Sequence, residues 1–411
     1  MLDAKTIRKR IPILKNRTKM QGFPLCFLDS ASTSLKVDSM IQRNVDYYSN
    51  FTANMARSDY DLGAKVDKEV NITREKVARF INATKKDEII FTANTTEALN
   101  FIAQGYAEKF LSNGDEIIVS VVEHAANLLP WYKAAKKVGA IVSFCPVDEQ
   151  GNIELASLRK MVSSKTKIIA LAHVSNVLAQ LLDAKQAADI AHSVGAIFVL
   201  DAAQSVPHMP VDVQDLNCDF LVFSAHKMLG PTGVGILYGK YSLLEEADPV
   251  FCGGGMNLKY NMCGDMQYLH APSKFEAGTL NLAGIISFAA SIDYLNQIGM
   301  ENVMHHDEEL KQYALKKMRK VPNIIIYNDT STTGVITFNI RDVFAQDVAT
   351  YLNSKGICVR SGQHCSKILS ERFETSSTVR VSTYLYTSKN DINRLCKALI
   401  NAEDFLDAYF G

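Results

Sequence analysis

The chain has no excess of charge of either sign. Its 411 residues carry 44 Lys and Arg against 44 Asp and Glu, so nothing in the balance points to nucleic acid or an anionic membrane as a partner. It also lacks any run long and apolar enough to cross a bilayer, and the basic stretch Met1 to Lys19 has no apolar core of the secretory kind. A cytoplasmic protein is expected. The eight cysteines form no CxxC pair and no Cys/His zinc spacing, which argues against a disulfide framework and a structural metal. Most then read as small core residues, Cys26 beside Phe27 and Leu28 and Cys358 beside Ile357 among them. Repeats, low-complexity segments and charged tails are missing as well. What remains, 47% hydrophobic and 21% charged residues, is the composition of an enzyme large enough for two or three domains.

Between about Phe27 and Gly239 short apolar runs alternate with segments of helical period. The runs are Glu88–Phe91, Glu116–Val122, Ile141–Cys145, Lys167–Ala172, Ile197–Leu200, Phe220–Phe223 and Val234–Tyr238. Seven nearly continuous apolar runs of this kind predict an α/β fold with a mainly parallel sheet covered on both faces. The last follows the turn Gly230-Pro231-Thr232-Gly233, too short for a helical crossover, and is expected to be antiparallel. After Ile285 the pattern changes to one long helix over Ser291 to Arg319, strands near Ile324–Tyr327, Val335–Ile340, Ile357–Arg360 and Val379–Ser382, and a terminal helix from about Asn390. This reads as a smaller α+β domain. The expected division is an N-terminal segment, 1–26, packing with the small domain, a large domain over 27–290, and a small domain over 291–411 that carries a cysteine loop.

Lys227 stands between the apolar run ending at Phe223 and the Gly230-Pro231 turn, and Asp201 ends the run Phe198-Val199-Leu200. A carboxylate at one strand end and a lysine at the next suit a pyridine cofactor, the acid pairing with the ring nitrogen and the amine forming the Schiff base. Asn94-Thr95-Thr96-Glu97 opens a helix and is either an ordinary N-cap or a phosphate cup, with Phe275-Glu276-Ala277-Gly278-Thr279 as a second source of hydroxyl. His124 follows a strand at the sheet edge, as a stacking platform and proton shuttle or as a hydrogen-bonded loop histidine. Asn176, after the next strand, faces a cofactor hydroxyl or the substrate. Cys365 sits on a glycine-containing loop behind His364 and near Arg360, surroundings that favour a reactive, accessible thiol. Arg380 lies in an apolar strand without an adjacent acid, so its fork suits a substrate α-carboxylate, with Arg360 and Asn176 beside it; a structural ion pair is the other reading.

Taken in order, Thr-Thr-Glu (95–97), Glu-His-Ala-Ala-Asn (123–127), His-Val-Ser-Asn-Val-Leu (173–178), Asp-Ala-Ala-Gln (201–204), Ser-Ala-His-Lys (224–227), Gly-Pro-Thr-Gly (230–233), Phe-Glu-Ala-Gly-Thr (275–279) and Arg-Ser-Gly-Gln-His-Cys (360–365) resemble the pyridoxal-phosphate-dependent cysteine desulfurases. The likeness is to the Suf/Csd-like group of the class-V aminotransferase family. It implies a fold-type-I homodimer that binds pyridoxal 5'-phosphate. Lys227 would hold the cofactor covalently, Asp201 its ring nitrogen, His124 its ring face and Gln204 its hydroxyl, with Asn176 nearby. Thr95, Thr96, Ser224 and His226 would hold the phosphate together with Thr279 of the partner subunit. The same likeness implies that Arg380 receives the carboxylate of L-cysteine and that Cys365 takes its sulfur as a persulfide. The sulfur would pass to an acceptor protein of SufE or SufU type, for iron–sulfur cluster assembly or another thiolation. A selenocysteine lyase, or another lyase or epimerase of the same fold, would share Lys227 and Asp201; Cys365 favours sulfur transfer. A non-enzymatic scaffold would be free to lose Lys227 or Asp201, and both are present. The chain departs from the family pattern at Ala93-Asn94 (for Arg-Gly), Ala179-Gln180 (for Gly-Thr), Tyr60 within Arg57-Ser58-Asp59-Tyr60 (for His) and Leu280 (for Pro).

Overall fold

The computed structural model describes residues 2–56, 59–372 and 375–400. Arg57 and Ser58, part of one departing motif, lie outside the described residues.

Seven strands build the main sheet: β1 (Ile89–Thr92), β2 (Glu116–Ser120), β3 (Ile141–Cys145), β4 (Thr166–Ala172), β5 (Ile197–Asp201), β6 (Phe220–Ser224) and β7 (Gly235–Gly239). They lie in the order β1-β7-β6-β5-β4-β2-β3. Only β7 runs antiparallel to its neighbours, on both sides, as the short Gly-Pro-Thr-Gly connection requires. The unbroken apolar runs are explained by burial on both faces. Ile118, Ile169, Leu171, Phe198, Leu200, Leu221 and Phe223 point into one core. Ile117, Val119, Ile168, Ala170, Val199, Phe220 and Val222 point into the other, the period of two that a pleated strand imposes. The chain leaves β2 toward β3 on one side and β4 toward β5 on the other. Loops at the C-terminal ends of these strands therefore meet at a topological switch point, the usual place for a ligand in an open α/β sheet.

A second sheet of four strands pairs Ile324–Ile326, Val335–Ile340, Thr378–Ser382 and Arg360–Gly362 in that order, all antiparallel. Two expectations change here. The long helix is two helices, Leu282–Ile298 and Met300–Met318, because Gly299 takes φ +85° and ends the first. The first is buried nearly all round and packs on helices Asp38–Asn50 and Asp61–Phe80. The strand expected over Ile357–Arg360 is also divided: Ile357–Cys358 pairs in parallel with Cys26–Phe27, while Arg360–Gly362 joins the four-stranded sheet. Of the cysteines, Cys26, Cys145, Cys218 and Cys396 are core residues, Cys358 is half-buried, and Cys252, Cys263 and Cys365 are exposed. The N-terminal segment touches two cores. Ile7 and Ile11 join the core under the main sheet, while Arg8 bonds Asp391 of the terminal helix Lys389–Leu399 at 2.9 Å.

The edge strand β1 is tied down by a buried ion pair. Arg74 of helix Asp61–Phe80 grips Glu276 with both nitrogens, at 2.8 and 2.7 Å, with side chains only 4% and 5% exposed. Glu276 also accepts the Phe91 N–H at 2.8 Å, and Arg74 donates to the Ile89 carbonyl. The acid of the Phe-Glu-Ala-Gly-Thr turn thus has a structural partner. Glu276→Gln keeps the shape but leaves the guanidinium charge buried and uncompensated, and should cost about 3–5 kcal/mol of stability in urea unfolding. A loss below about 1 kcal/mol, the size of an exposed pair, would show that the pair is not what anchors this edge.

Candidate active site

The loops at the switch point surround one cavity of about 310 Å³, closed on the far side by the four-stranded sheet. Lys227, Asp201, Gln204, His124, Asn176, Thr95, Thr96, Ser224, His226, Arg360, Arg380 and Cys365 all line it. Thr279 does not: it is exposed in its own chain, and its hydroxyl accepts a 3.3 Å hydrogen bond from Asn54.

Lys227 ends a short 3-10 turn that leaves β6. Burial pushes its amine down to about 8, partly opposed by Asp201. Asp201, the last residue of β5, is itself raised by burial and accepts the Ala203 N–H at 3.0 Å. The helix-opening motif does two things with different residues. Asn94 is the N-cap, its Oδ1 accepting from the Glu97 N–H at 2.9 Å. Thr95 turns inward, its N–H donating to Ser224 Oγ at 2.8 Å and its hydroxyl lying 2.6 Å from the same oxygen. The Ala93-Asn94 departure is therefore compatible with a capped helix and a paired hydroxyl site. His124 Nδ1 accepts the Ala126 N–H at 3.0 Å, and burial pushes the ring down to about 4. It is consequently neutral with its proton on Nε2, which suits stacking and donation rather than a standing charge. His226 is likewise pushed down to about 4 by burial, and its carbonyl anchors the N-terminal loop through Thr33, Ser34 and Lys36. Gln204 donates to the Ala31 carbonyl at 2.9 Å.

Strand register puts Arg360 directly opposite Arg380. Like charges in that position repel, and two residues that sequence reasoning missed offset the repulsion. Ser32 Oγ accepts from Arg360 Nη1 at 3.0 Å and from Arg380 Nη2 at 2.8 Å, and donates to Asp29 at 2.7 Å. Asp29 lies 3.3 Å from Arg380 Nη2. Arg380 therefore does have an acidic partner, contrary to the reading of its strand; no local signal could reveal it, because Asp29 is 351 positions away. The only hint was the run of hydroxyl residues from Ser30 to Ser34. Arg380 is only 3% exposed and its Nε is buried without a hydrogen-bond partner. Cys365, at φ +58°, is exposed at the mouth of the cavity, and its carbonyl accepts the Ala125 N–H at 2.7 Å.

A profile of the class-V aminotransferases matches residues 26–395. The chain is 42% identical over 410 residues to a probable cysteine desulfurase of Halalkalibacterium halodurans, covering 100% of this chain and 99% of that one. It is 38% identical over 393 residues to a cysteine desulfurase of Pectobacterium atrosepticum, covering 96% of each. Among solved structures, the cysteine desulfurase CsdA of Escherichia coli superposes with a TM-score of 0.91 at 34% identity, over 98% of this chain and 99% of that one. The chain belongs to the class-V aminotransferase family, among its cysteine desulfurases, and has the fold-type-I architecture.

The lowered Lys227 sets a pH dependence. An amine with a depressed pKa is protonated and inert toward a carbonyl below that value and reactive above it. Uptake of pyridoxal phosphate by cofactor-free protein, followed by its visible absorbance, should therefore rise with a midpoint near pH 8 and level off above it. A rate that keeps climbing past pH 9.5, as for an ordinary lysine with pKa about 10.4, would contradict the burial argument.

Proposed function

We propose that the chain is a pyridoxal-phosphate-dependent cysteine desulfurase that converts L-cysteine to L-alanine and retains the sulfur as a persulfide on Cys365. The observation that carries this reading is an exposed thiol, Cys365, opening onto the same cavity as Lys227 and Arg380. The cavity residues fit the cofactor. Asp201 is buried and Lys227 half-buried, groups of opposite character at neighbouring strand ends, one suited to a ring nitrogen and the other to an aldehyde. Thr95 and Ser224, with Thr96 and His226, supply donors for a phosphate at a helix start, and Gln204 lies within the lining for the ring hydroxyl. When bound, pyridoxal phosphate supplies the electron sink that makes cleavage at Cα and at the Cβ–S bond accessible.

The chain's own groups do the rest. Arg380, with Arg360 beside it, fixes the substrate carboxylate. Lys227 Nζ, neutral above about pH 8, takes the Cα proton. His124, lining the cavity with Nδ1 already accepting a backbone N–H, would stack on the ring and keep its Nε2 proton available. Cys365 Sγ forms a bond to the substrate sulfur as the Cβ–S bond breaks, and the carbon fragment takes up a proton and leaves as alanine. One sulfur atom moves from cysteine to enzyme, and the step balances without an external oxidant or reductant.

The same reading takes 27–290 as the cofactor domain, 291–411 as the small domain and 1–26 as a segment packed with it. It makes the protein a cytoplasmic homodimer. No helix among the described residues is long and apolar enough to cross a membrane. The hairpin of strands Asn257–Tyr260 and Met266–Tyr268 exposes Leu258 and Tyr260 by 66% and 71%, an apolar surface suited to a second subunit, and Thr279 stands outside its own cavity. The persulfide on exposed Cys365 would be collected by an acceptor of SufE or SufU type and delivered to iron–sulfur assembly or another thiolation.

Two substitutions separate cofactor chemistry from sulfur capture. Cys365→Ser should retain the visible absorbance of the bound cofactor and its response to L-cysteine, while alanine formation falls on the order of 100-fold or more. Lys227→Ala should abolish both the covalent cofactor signal and alanine formation. Parent-rate alanine formation by Cys365→Ser would replace sulfur capture with an elimination.

A further inference from the structure

Cys365 is held in place from the main sheet's loops. Asn176, beyond β4, donates from Nδ2 to the His364 carbonyl at 2.8 Å, and its Oδ1 accepts from the Ser366 hydroxyl at 3.1 Å. A single side-chain amide thus grips the residues on either side of Cys365. The backbone carbonyl of Asn176 accepts Arg380 Nη1 at 3.0 Å. The next three carbonyls are also taken by donors from the region of the four-stranded sheet: Val177 by the Thr337 hydroxyl at 2.6 Å, Leu178 by Asn328 Nδ2 at 3.0 Å and Ala179 by the Thr333 hydroxyl at 3.2 Å. Below them Lys311, a fully buried lysine, donates to the Ser331 hydroxyl at 2.8 Å and to the Val335 carbonyl, which also accepts from Asn328 at 2.9 Å.

The segment so gripped is not relaxed. Ala179 is buried at φ +58°, a left-handed conformation that is unfavourable for an L residue and persists only where the surroundings over-determine it. Donors on four successive carbonyls provide that over-determination.

We propose that Asn176 is a positioning residue that sets the nucleophile Cys365 and the carboxylate anchor Arg380 in a common register, and that Thr337, Asn328 and Thr333 act through it by holding its backbone. The inference rests on Cys365 being the sulfur acceptor. In this arrangement the Asn176 side chain is already committed to the cysteine loop, a role distinct from a contact to a cofactor hydroxyl. A shift of the 176–179 segment would move the nucleophile and the anchor together.

The test uses cofactor-loaded protein and the variants Asn176→Asp, Thr337→Val and Ser366→Ala. Asn176→Asp sets a second acceptor against the His364 carbonyl. Thr337→Val removes one hydroxyl from a residue outside the cavity lining, cross-strand from Arg380, and Ser366→Ala removes one of the two side-chain grips. Three readouts are taken: cofactor absorbance, the rate of Cys365 alkylation by iodoacetamide followed by peptide mass, and kcat and KM for alanine formation. Thr337→Val and Asn176→Asp should keep the absorbance, change the Cys365 alkylation rate several-fold, and lower kcat/KM about ten-fold or more, with KM rising as well as kcat falling, as expected for a sub-ångström to ångström displacement of reacting groups. Ser366→Ala should act on alkylation and kcat alone. Folded Thr337→Val and Ser366→Ala proteins whose Cys365 alkylates at the parent rate would overturn the proposal, whether or not Asn176→Asp folds. Should the parent itself release no alanine while the alkylation rates shift, the desulfurase reading fails and the positioning role stands.

Discussion

Arg380 is a buried cation placed by strand register directly opposite a second arginine, and the way its charge is satisfied determines how the parts of the chain meet. Its nitrogens reach the N-terminal loop at Ser32 and Asp29 and the main-sheet loop at the Asn176 carbonyl, from a strand of the smaller sheet. A buried guanidinium left without such partners would cost several kcal/mol. The three segments are therefore held together by one buried charge in the wall of the cavity. Nε alone of its three nitrogens makes no hydrogen bond, and it is itself closed to solvent, so the guanidinium is fixed in place through its other two nitrogens.

Burial then gives the other groups their character. Lys227 is taken down toward neutrality, and His124, His226 and His364 are held as neutral rings, pushed to about 4, 4 and 3 by burial with the neighbouring cations adding to it. The permanent positive charges of the cavity reside on the arginines, with Lys227 joining them below about pH 8, and the negative one on Asp201. Such separation suits chemistry in which an anionic substrate is fixed by one group, deprotonated by a second and attacked by a third. Cys365, like Arg360 beside it, is open to solvent, where a persulfide must be if it is to be handed on.

How far this was legible in the sequence follows from the range of each interaction. The seven strands of the main sheet could be read because burial on both faces leaves unbroken apolar runs, and Asp201 and Lys227 could be read because each ends such a run. Cys365 stood out because its loop is polar where the core cysteines' surroundings are apolar. The partners of Arg380 were invisible, since Asp29 and Ser32 lie at the opposite end of the chain, and so were the donors Thr337, Asn328 and Thr333, ordinary polar residues until the fold lays them on three successive carbonyls. The misreadings were local: helical periodicity continues across Gly299, whose backbone conformation ends the first helix, and the apolar run from Ile357 continues through a point where the chain changes sheets. Arg74–Glu276 belongs with the invisible contacts, a motif acid whose partner is set only by tertiary packing.

The claim that matters most is that Cys365 takes the sulfur in the cavity that holds Lys227 and Arg380. A single turnover with L-cysteine in the absence of reductant, quenched and analysed by peptide mass spectrometry alongside alanine quantitation, tests it most directly. The account predicts one alanine per active site and a Cys365 peptide heavier by one sulfur atom, with the other cysteine peptides unchanged. Cysteine consumed to sulfide and pyruvate, with the Cys365 peptide at its original mass, would contradict it.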